Sequence, residues 1–125
     1  MQTRSPVTFT VPGPPVPKGR PRMTRRGRVY TPQKTLDYEK LVLVSALAAK
    51  IPRFTGPVAI ELRVYLPTRR RSDLDNYIKI IDGLQPRIIP DDCMVMHIVA
   101  EKFYDKSNPR MEITISSHED NGLVA

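Results

Sequence analysis

The chain has few of the residues that support redox or metal-thiolate chemistry. Its 125 residues include one cysteine, two histidines and no tryptophan. A single cysteine, Cys93, excludes an internal disulfide and a multi-cysteine zinc site. Any catalytic chemistry must therefore depend on carboxylates, lysines and arginines.

Long apolar segments are also missing. No stretch approaches the roughly 18 consecutive apolar residues that span a bilayer, and the first residues lack the apolar run of a signal peptide. We therefore expect a cytoplasmic protein without membrane contacts. With 40% hydrophobic and 26% charged residues the chain has a globular composition, and its length fits one domain over 1–125.

Positive charge is concentrated in the first third of the chain. The sequence carries 20 Lys and Arg against 13 Asp and Glu, a net charge of +7, and residues 1–36 hold eight of the cations and none of the acids. The segment from about 12 to 31 is rich in Pro, Gly and Arg and has no apolar period, so we predict an extended basic loop. Such a loop is typical of a phosphate-binding surface, although an arm that only aids solubility has the same composition.

Alternation of apolar and polar residues predicts four strands. The clearest is Val58–Leu66, where every second residue is apolar. Weaker alternation predicts further strands at about 6–11, 94–105 and 111–116. From 117 to 125 we expect a loose tail.

Two helices are predicted between these strands. The first spans about 32–50, with Thr31 as its N-cap, and the second runs from about 72 to 85. The first helix is apolar over a wide arc, which fits either part of a subunit interface or a helix buried deeply in a monomer. The residues of this arc are Leu36, Leu41, Leu43, Val44, Leu47, Ala48 and Ile51.

The order strand, helix, strand, helix, strand, strand predicts the fold class. Strands with one polar face, combined with two helices, are typical of a two-layer α+β domain. We therefore predict a mixed or antiparallel sheet in the order β-α-β-α-β-β, with both helices packed on one of its faces.

Acidic residues surround the second predicted helix. Asp73 and Asp75 lie at its start, and Asp91-Asp92 follows it in a turn. Two ionised carboxylates about 4 Å apart repel by roughly 4 kcal/mol at an effective dielectric near 20, so convergence favours a bound cation. Mg²⁺ prefers such oxygen ligands. Taken singly, Asp at a helix start is an ordinary cap and Asp-Asp after Pro is an ordinary turn.

Lys79 shares a helical face with two of the acids. Asp75, Lys79 and Asp82 recur at i, i+4 and i+7 of the predicted helix. Lys79 and Asp75 can form a plain surface pair worth about 0.2–0.5 kcal/mol. In a phosphodiesterase the same ammonium would bind the scissile phosphate and stabilise its added negative charge in the transition state.

Three acidic runs and one basic run resemble a known family. The acidic runs are Arg71-Ser-Asp-Leu-Asp-Asn-Tyr-Ile-Lys79, Ile81-Asp-Gly-Leu84 and Pro90-Asp-Asp92, and the basic run extends from Pro17 to Pro32. Together they resemble the RusA-like Holliday junction resolvases of the phage type, over roughly residues 6–116. The resemblance implies a homodimeric endonuclease that depends on Mg²⁺, with Mn²⁺ as a substitute. Such an enzyme resolves four-way DNA junctions by paired symmetric nicks in recombination and repair.

The resemblance also implies roles for individual residues. Asp73, Asp75 and Asp92 would be catalytic carboxylates that bind the metal, and Lys79 would be the essential lysine. The residues predicted to contact branched DNA are Lys18, Arg20, Arg22, Arg25, Arg26, Arg28, Arg69, Arg70 and Arg71. The alternative is a non-catalytic nucleic-acid-binding protein, in which the acids are caps and turns and only the basic loop acts.

Overall fold

The computed structural model describes residues 5–118, which form six strands and two α-helices. The strands are β1 (Val7–Pro12), β2 (Arg22–Met23), β3 (Val29–Tyr30), β4 (Val58–Leu66), β5 (Val95–Tyr104) and β6 (Arg110–Ser117). The α-helices are α1 (Gln33–Ala48) and α2 (Leu74–Ile78), and the 3-10 helices are Lys79–Leu84 and Asp92–Met94. Apart from Ser117 and His118, the predicted tail lies outside the described residues.

Four strands form a mixed sheet in the order β1-β6-β4-β5. Strand β6 pairs antiparallel with both β1 and β4, whereas β4 and β5 run parallel. Parallel neighbours require a crossover connection, and this connection carries α2 and the 3-10 helices. The predicted α+β class is confirmed, and the sheet is of the mixed kind. Strands β2 and β3 form a separate antiparallel hairpin within the basic loop.

Alternation places one face of the sheet in the core. Val58, Ile60, Leu62, Val64 and Leu66 of β4 are all buried, which confirms the clearest strand prediction. Alternate residues of β1 and β6 are buried on the same side, and side chains from α1, α2 and the Lys79–Leu84 helix complete the cluster. The helices therefore cover one face of the sheet.

Helix α1 buries a different stripe from the one predicted. Its buried residues are Thr35, Tyr38, Val42 and Ala46, spaced by three or four positions. Of the predicted apolar arc only Ile51 is buried, whereas Leu36, Val44 and Leu47 are exposed, so the deeply buried helix in a monomer is the wrong alternative. Thr35 and Tyr38 carry hydroxyl groups and rank below leucine in hydropathy, so hydropathy did not mark them as core residues. The alternative, that the apolar arc is part of a subunit interface, stays a prediction.

The ends of α1 also differ from the prediction. The N-cap is Pro32, not Thr31, and no side chain caps the helix. At the other end the α-helical residues stop at Ala48, and Ala49 is the C-cap. The helix predicted over about 32–50 is therefore present, but the prediction of Thr31 as its N-cap was wrong.

The second predicted helix divides into α2 and a 3-10 helix. Five residues are α-helical, and the next six, from Lys79 to Leu84, are 3-10. Gly83 lies where the 3-10 helix meets α1, and a Cβ there would be only 2.6 Å from the carbonyl oxygen of Glu39. Because only glycine lacks that atom, Gly83 permits the close approach of the two helices.

The opposite face of the sheet carries a network of ion pairs. Glu112 accepts hydrogen bonds from Arg63 at 3.0 Å and from Arg110 at 3.0 Å. Burial raises the pKa of Glu112, but the two arginines outweigh this and hold the pKa below its ordinary value. The sheet is therefore braced across β4 and β6 on its polar face.

We expect Glu112→Gln to lower the free energy of unfolding by about 1–2 kcal/mol at pH 7, because two arginines lose a charged acceptor. A depressed folded-state pKa stabilises the protein above the unfolded-state pKa, and this contribution is lost as the pH falls through the folded-state value. The difference between variant and wild type should therefore decrease as the pH falls from the ordinary glutamate pKa through the lower folded-state pKa of Glu112. Chemical denaturation across pH measures it, with Glu101→Gln on the exposed part of β5 as the control. A difference that persists unchanged at pH 3 would contradict the charge-based explanation.

Candidate active site

Asp73 occupies the N-cap position of α2 but does not cap the helix. Its backbone is extended there, and its side chain makes no capping hydrogen bond. The side chain is exposed at the end of the β4 to α2 connection. A capping role, which was the simplest interpretation of this aspartate, therefore does not account for it.

Asp75 and Lys79 form an ion pair one turn apart. The Lys79 Nζ lies 3.2 Å from the Asp75 Oδ2, and the two side chains are 55% and 73% exposed. A pair this exposed contributes little to stability because water and salt screen it. Both groups are therefore accessible to a ligand at the start of α2.

Asp91 and Asp92 have different roles in the turn before β5. Asp91 is the N-cap of the Asp92–Met94 helix, and its Oδ1 accepts a hydrogen bond from the Cys93 N–H at 3.2 Å. That bond and one with Asp92 lower the pKa of Asp91. The hydrogen bond with Asp91 raises the pKa of Asp92, and the charge of Asp82 adds to the effect. Asp91 is thus the structural member of the pair.

A cleft of about 370 Å³ lies beside the start of α2. Its lining residues are Pro17, Arg71, Ser72, Asp73 and Asn76. The Ser72 hydroxyl is buried and has no hydrogen-bond partner within residues 5–118. A basic and an acidic side chain therefore line one small cleft, next to a buried hydroxyl group that has no hydrogen-bond partner in the described part of the chain.

Lys18 fastens the basic loop to the acidic helices. Its backbone N–H donates to the Asn76 carbonyl at 2.8 Å. Its ammonium lies 2.8 Å from Asp82 Oδ2 and 3.7 Å from Glu39 Oε2. Burial lowers the pKa of Lys18, but the two acids outweigh this and raise the pKa above its ordinary value. Lys18 is thus an anchor, and its contact with DNA stays a prediction.

A second anchor lies beside the first. The Gly19 N–H donates to the Thr35 hydroxyl at 2.8 Å, which fixes the loop to α1. Sequence reasoning assigned no role to Thr35 or Glu39, and it placed Asp82 on a face with Lys79 without pairing it to Lys18. No local pattern marked these contacts, because the partners are 16 to 64 residues apart in the chain.

The other predicted DNA contacts are exposed and lack acidic partners in the described part of the chain. Within the described residues 5–118, no arginine of the basic loop forms an ion pair. The arginines of this loop are Arg20, Arg22, Arg25, Arg26 and Arg28. Beyond β4, the guanidinium of Arg69 stacks on the Tyr104 ring at 4.4 Å. Arg70 and Arg71 follow it toward the cleft. The cations are therefore available for phosphate groups.

The carboxylates are not gathered around one point. Within residues 5–118 no group of three His, Cys, Asp or Glu side chains is placed to hold a metal ion. The cleft residues Ser72, Asp73 and Asn76 do carry oxygen donors, which Mg²⁺ prefers. This set suits an ion that keeps most of its water ligands, and it does not form a preassembled cage of three carboxylates.

An acidic helix start lies beside arginines that have no acidic partner in the described chain, an arrangement that suits a ligand with phosphate groups. The family model for endodeoxyribonuclease RusA matches residues 12–116, so the chain belongs to that family. The family comprises endonucleases of the Holliday junction resolvase type, which act on branched DNA in recombination and depend on a metal ion. The predicted family is thereby confirmed.

One relative extends the comparison along the chain. The "Uncharacterized protein YqaN" of Bacillus subtilis (strain 168) is 32% identical over 135 aligned positions. The alignment covers 87% of this chain and 94% of that protein. No helix within residues 5–118 is long and apolar enough to cross a membrane.

The Lys18 anchor should show stronger coupling than the Asp75–Lys79 pair. In a double-mutant cycle with Lys18→Gln and Asp82→Asn, we expect a coupling energy of about 1 kcal/mol, because the partly buried ammonium lies within reach of two acids and is less exposed than Lys79. The matched cycle with Lys79→Gln and Asp75→Asn should give about 0.3 kcal/mol. Urea denaturation measures both cycles, and equal coupling energies would contradict the anchoring role.

Proposed function

We propose that this chain is a Mg²⁺-dependent structure-specific endonuclease that resolves four-way DNA junctions by paired symmetric nicks. The observation that carries the proposal is the position of Asp73, which does not cap α2 and lies beside Arg71. Asp73 faces the cleft that Arg71 also lines, and the basic loop is fastened to the same helix through the Asn76 carbonyl. A phosphate held by the arginines would therefore lie next to the acidic side chains.

The proposed metal ligands are Asp73, Asp75 and Asp92. Mg²⁺, with Mn²⁺ as a substitute, supplies positive charge to the scissile phosphate and lowers the pKa of a bound water. Because the three carboxylates are separate in the described structure, binding must bring them together. Asp75 is held only by an exposed ion pair and Asp92 is exposed, so neither is fixed by buried contacts. Asp91 keeps its place as the cap.

Lys79 is proposed to stabilise charge on the reacting phosphate. Its ammonium already lies within 3.2 Å of Asp75, on the exposed side of the helix start. In the 3-10 helix that follows, three residues make one turn, so Asp82 lies directly beyond Lys79. Because Asp82 is paired with Lys18, Lys79 does not have to neutralise Asp82 and remains available to the substrate.

We also propose that the enzyme acts as a homodimer. A four-way junction has approximate two-fold symmetry, so a two-fold dimer presents equivalent sites to two strands of like polarity. Three apolar residues of α1 are left about half exposed by the described chain, namely Leu36, Val44 and Leu47. They supply the surface on which a second copy would pack.

Cleavage of a labelled synthetic four-way junction tests the catalytic proposal. Wild-type protein should nick the junction with Mg²⁺ and not with EDTA. Asp75→Asn should reduce cleavage at least about a thousandfold, because a group that acts in the transition state is lost, while junction binding persists. Asp37→Asn is the control, since Asp37 is an exposed acid of α1 away from the site.

Two results would overturn this assignment. One is wild-type protein that binds junctions and never nicks them over a range of divalent metals and pH, which would favour the non-catalytic DNA-binding alternative. The other is an Asp75→Asn protein that loses folding and binding together, as measured by circular dichroism and gel shift, because a structural role would then explain the aspartate.

Sedimentation velocity tests the dimer. Val44→Glu with Leu47→Glu should convert a dimer into a monomer, since burying two carboxylates in an apolar interface costs several kcal/mol. Lys34→Glu places the same charge on α1 at an exposed position outside the apolar stripe and should leave the dimer intact. A wild-type protein that sediments as a monomer would contradict the proposal.

A further inference from the structure

The hairpin β2–β3 is shaped by its turn. The Gly27 N–H donates to the Thr24 carbonyl at 3.0 Å, and the Thr24 N–H donates to the Arg28 carbonyl at 2.9 Å. Gly27 has φ of +80°, the left-handed conformation that closes a three-residue hairpin loop. Arg25 and Arg26 therefore stand at the tip.

The two faces of this hairpin differ in chemistry. Arg22 pairs with Tyr30 across the strands, and Met23 pairs with Val29. Neighbouring residues of a strand point to opposite faces, so Met23 and Val29 form an apolar pair on one face. They are 68% and 62% exposed, the highest values among the large apolar residues described. The rest of the described chain does not cover them.

The root of the hairpin lies beside the candidate active site. Lys18 and Gly19, directly before it, are bonded to α2 and α1 through Asn76 and Thr35. The hairpin thus projects from a fixed point next to the acidic helix start. An exposed apolar pair between arginines that have no acidic partner within residues 5–118 is complementary to a ligand that is both polyanionic and locally apolar.

We propose that Met23 and Val29 pack against the interrupted base stack at the branch point of the DNA, while Arg25 and Arg26 hold the adjacent phosphates. The inference rests on the proposed function, and it assigns to the hairpin the preference for branched over linear DNA. Apolar side chains are known to insert between base steps, at a cost in lost stacking. At a branch point the stack is already broken, so the insertion costs less there than in a continuous duplex.

Binding measurements should distinguish the contribution of the apolar pair from that of the arginines at the tip. In EDTA, Met23→Ser with Val29→Ser should reduce the ratio of junction affinity to linear-duplex affinity about tenfold, as loss of contact with one or two bases would. The matched control, Met96→Ser with Val99→Ser, removes the same residue types from exposed positions of β5 and should leave the ratio unchanged. Fluorescence anisotropy with labelled DNA of both shapes gives the ratio.

The tip arginines should behave differently from the apolar pair. Arg25→Ala with Arg26→Ala should weaken binding to junction and duplex alike and reduce the slope of log affinity against log salt by about 2, since two phosphate contacts are lost. A change in the junction-to-duplex ratio as large as that of the Met23 and Val29 variant would overturn the division of roles.

A fluorescent substitution reports the contact directly. Because the chain has no tryptophan, Met23→Trp introduces a single one. Its emission should be quenched by the junction and much less by duplex, while Met96→Trp should respond to neither. Met23→Gln with Val29→Thr retains side-chain size and strand preference, so a loss of selectivity in this variant as well excludes hairpin unfolding as the cause.

Three outcomes would overturn the inference. They are an unchanged affinity ratio in both Met23 and Val29 variants, equal quenching by junction and duplex, and conversion of a dimer to a monomer by Met23→Ser with Val29→Ser. The last would place the pair in a subunit interface. Since binding is measured without metal, selective binding by a protein that never cleaves would reject the proposed nuclease activity and still support the hairpin contact.

Discussion

The fixed distance between the basic loop and the acidic helix depends on one partly buried lysine ammonium. Lys18 lies between Asp82 and Glu39, and its own N–H is bonded to α2. Burial raises the pKa of Glu39, and the positive charge of Lys18 only partly offsets this. An unpaired carboxylate at that place would be costly, so the lysine and the two acids stabilise each other. The arginines that follow are thereby held next to the helix that begins at Asp73.

Much of the fold followed from periodicity, because a sheet with one buried face imposes it. Strand β4 matched its prediction at both ends, since its apolar residues alternate without exception. Helix α1 was located correctly, but its buried side was not, because Thr35 and Tyr38 are packed through the apolar parts of side chains that also carry hydroxyls. Hydropathy alone does not distinguish such residues from surface ones.

The candidate site, like the fold, could be predicted from the sequence only in part. The aspartates and Lys79 could be selected from their spacing and from the family signature, and the family is confirmed. The sequence does not indicate which acidic side chain pairs with each lysine or arginine. Lys18 is separated from Asp82 by 64 residues, and only the packing of the 3-10 helix on α1 brings them together. Likewise, nothing in the local pattern distinguished Asp91, which caps a turn, from Asp92, which does not.

The close approach at Gly83 links these features mechanically. The hairpin root is bonded to α1 through Thr35 and to α2 through Asn76, and Gly83 keeps α1 pressed against the helix that continues α2. These three contacts together fix the root of the hairpin relative to α1 and α2. The missing Cβ at Gly83 therefore sets the distance between the root of the hairpin and the start of α2.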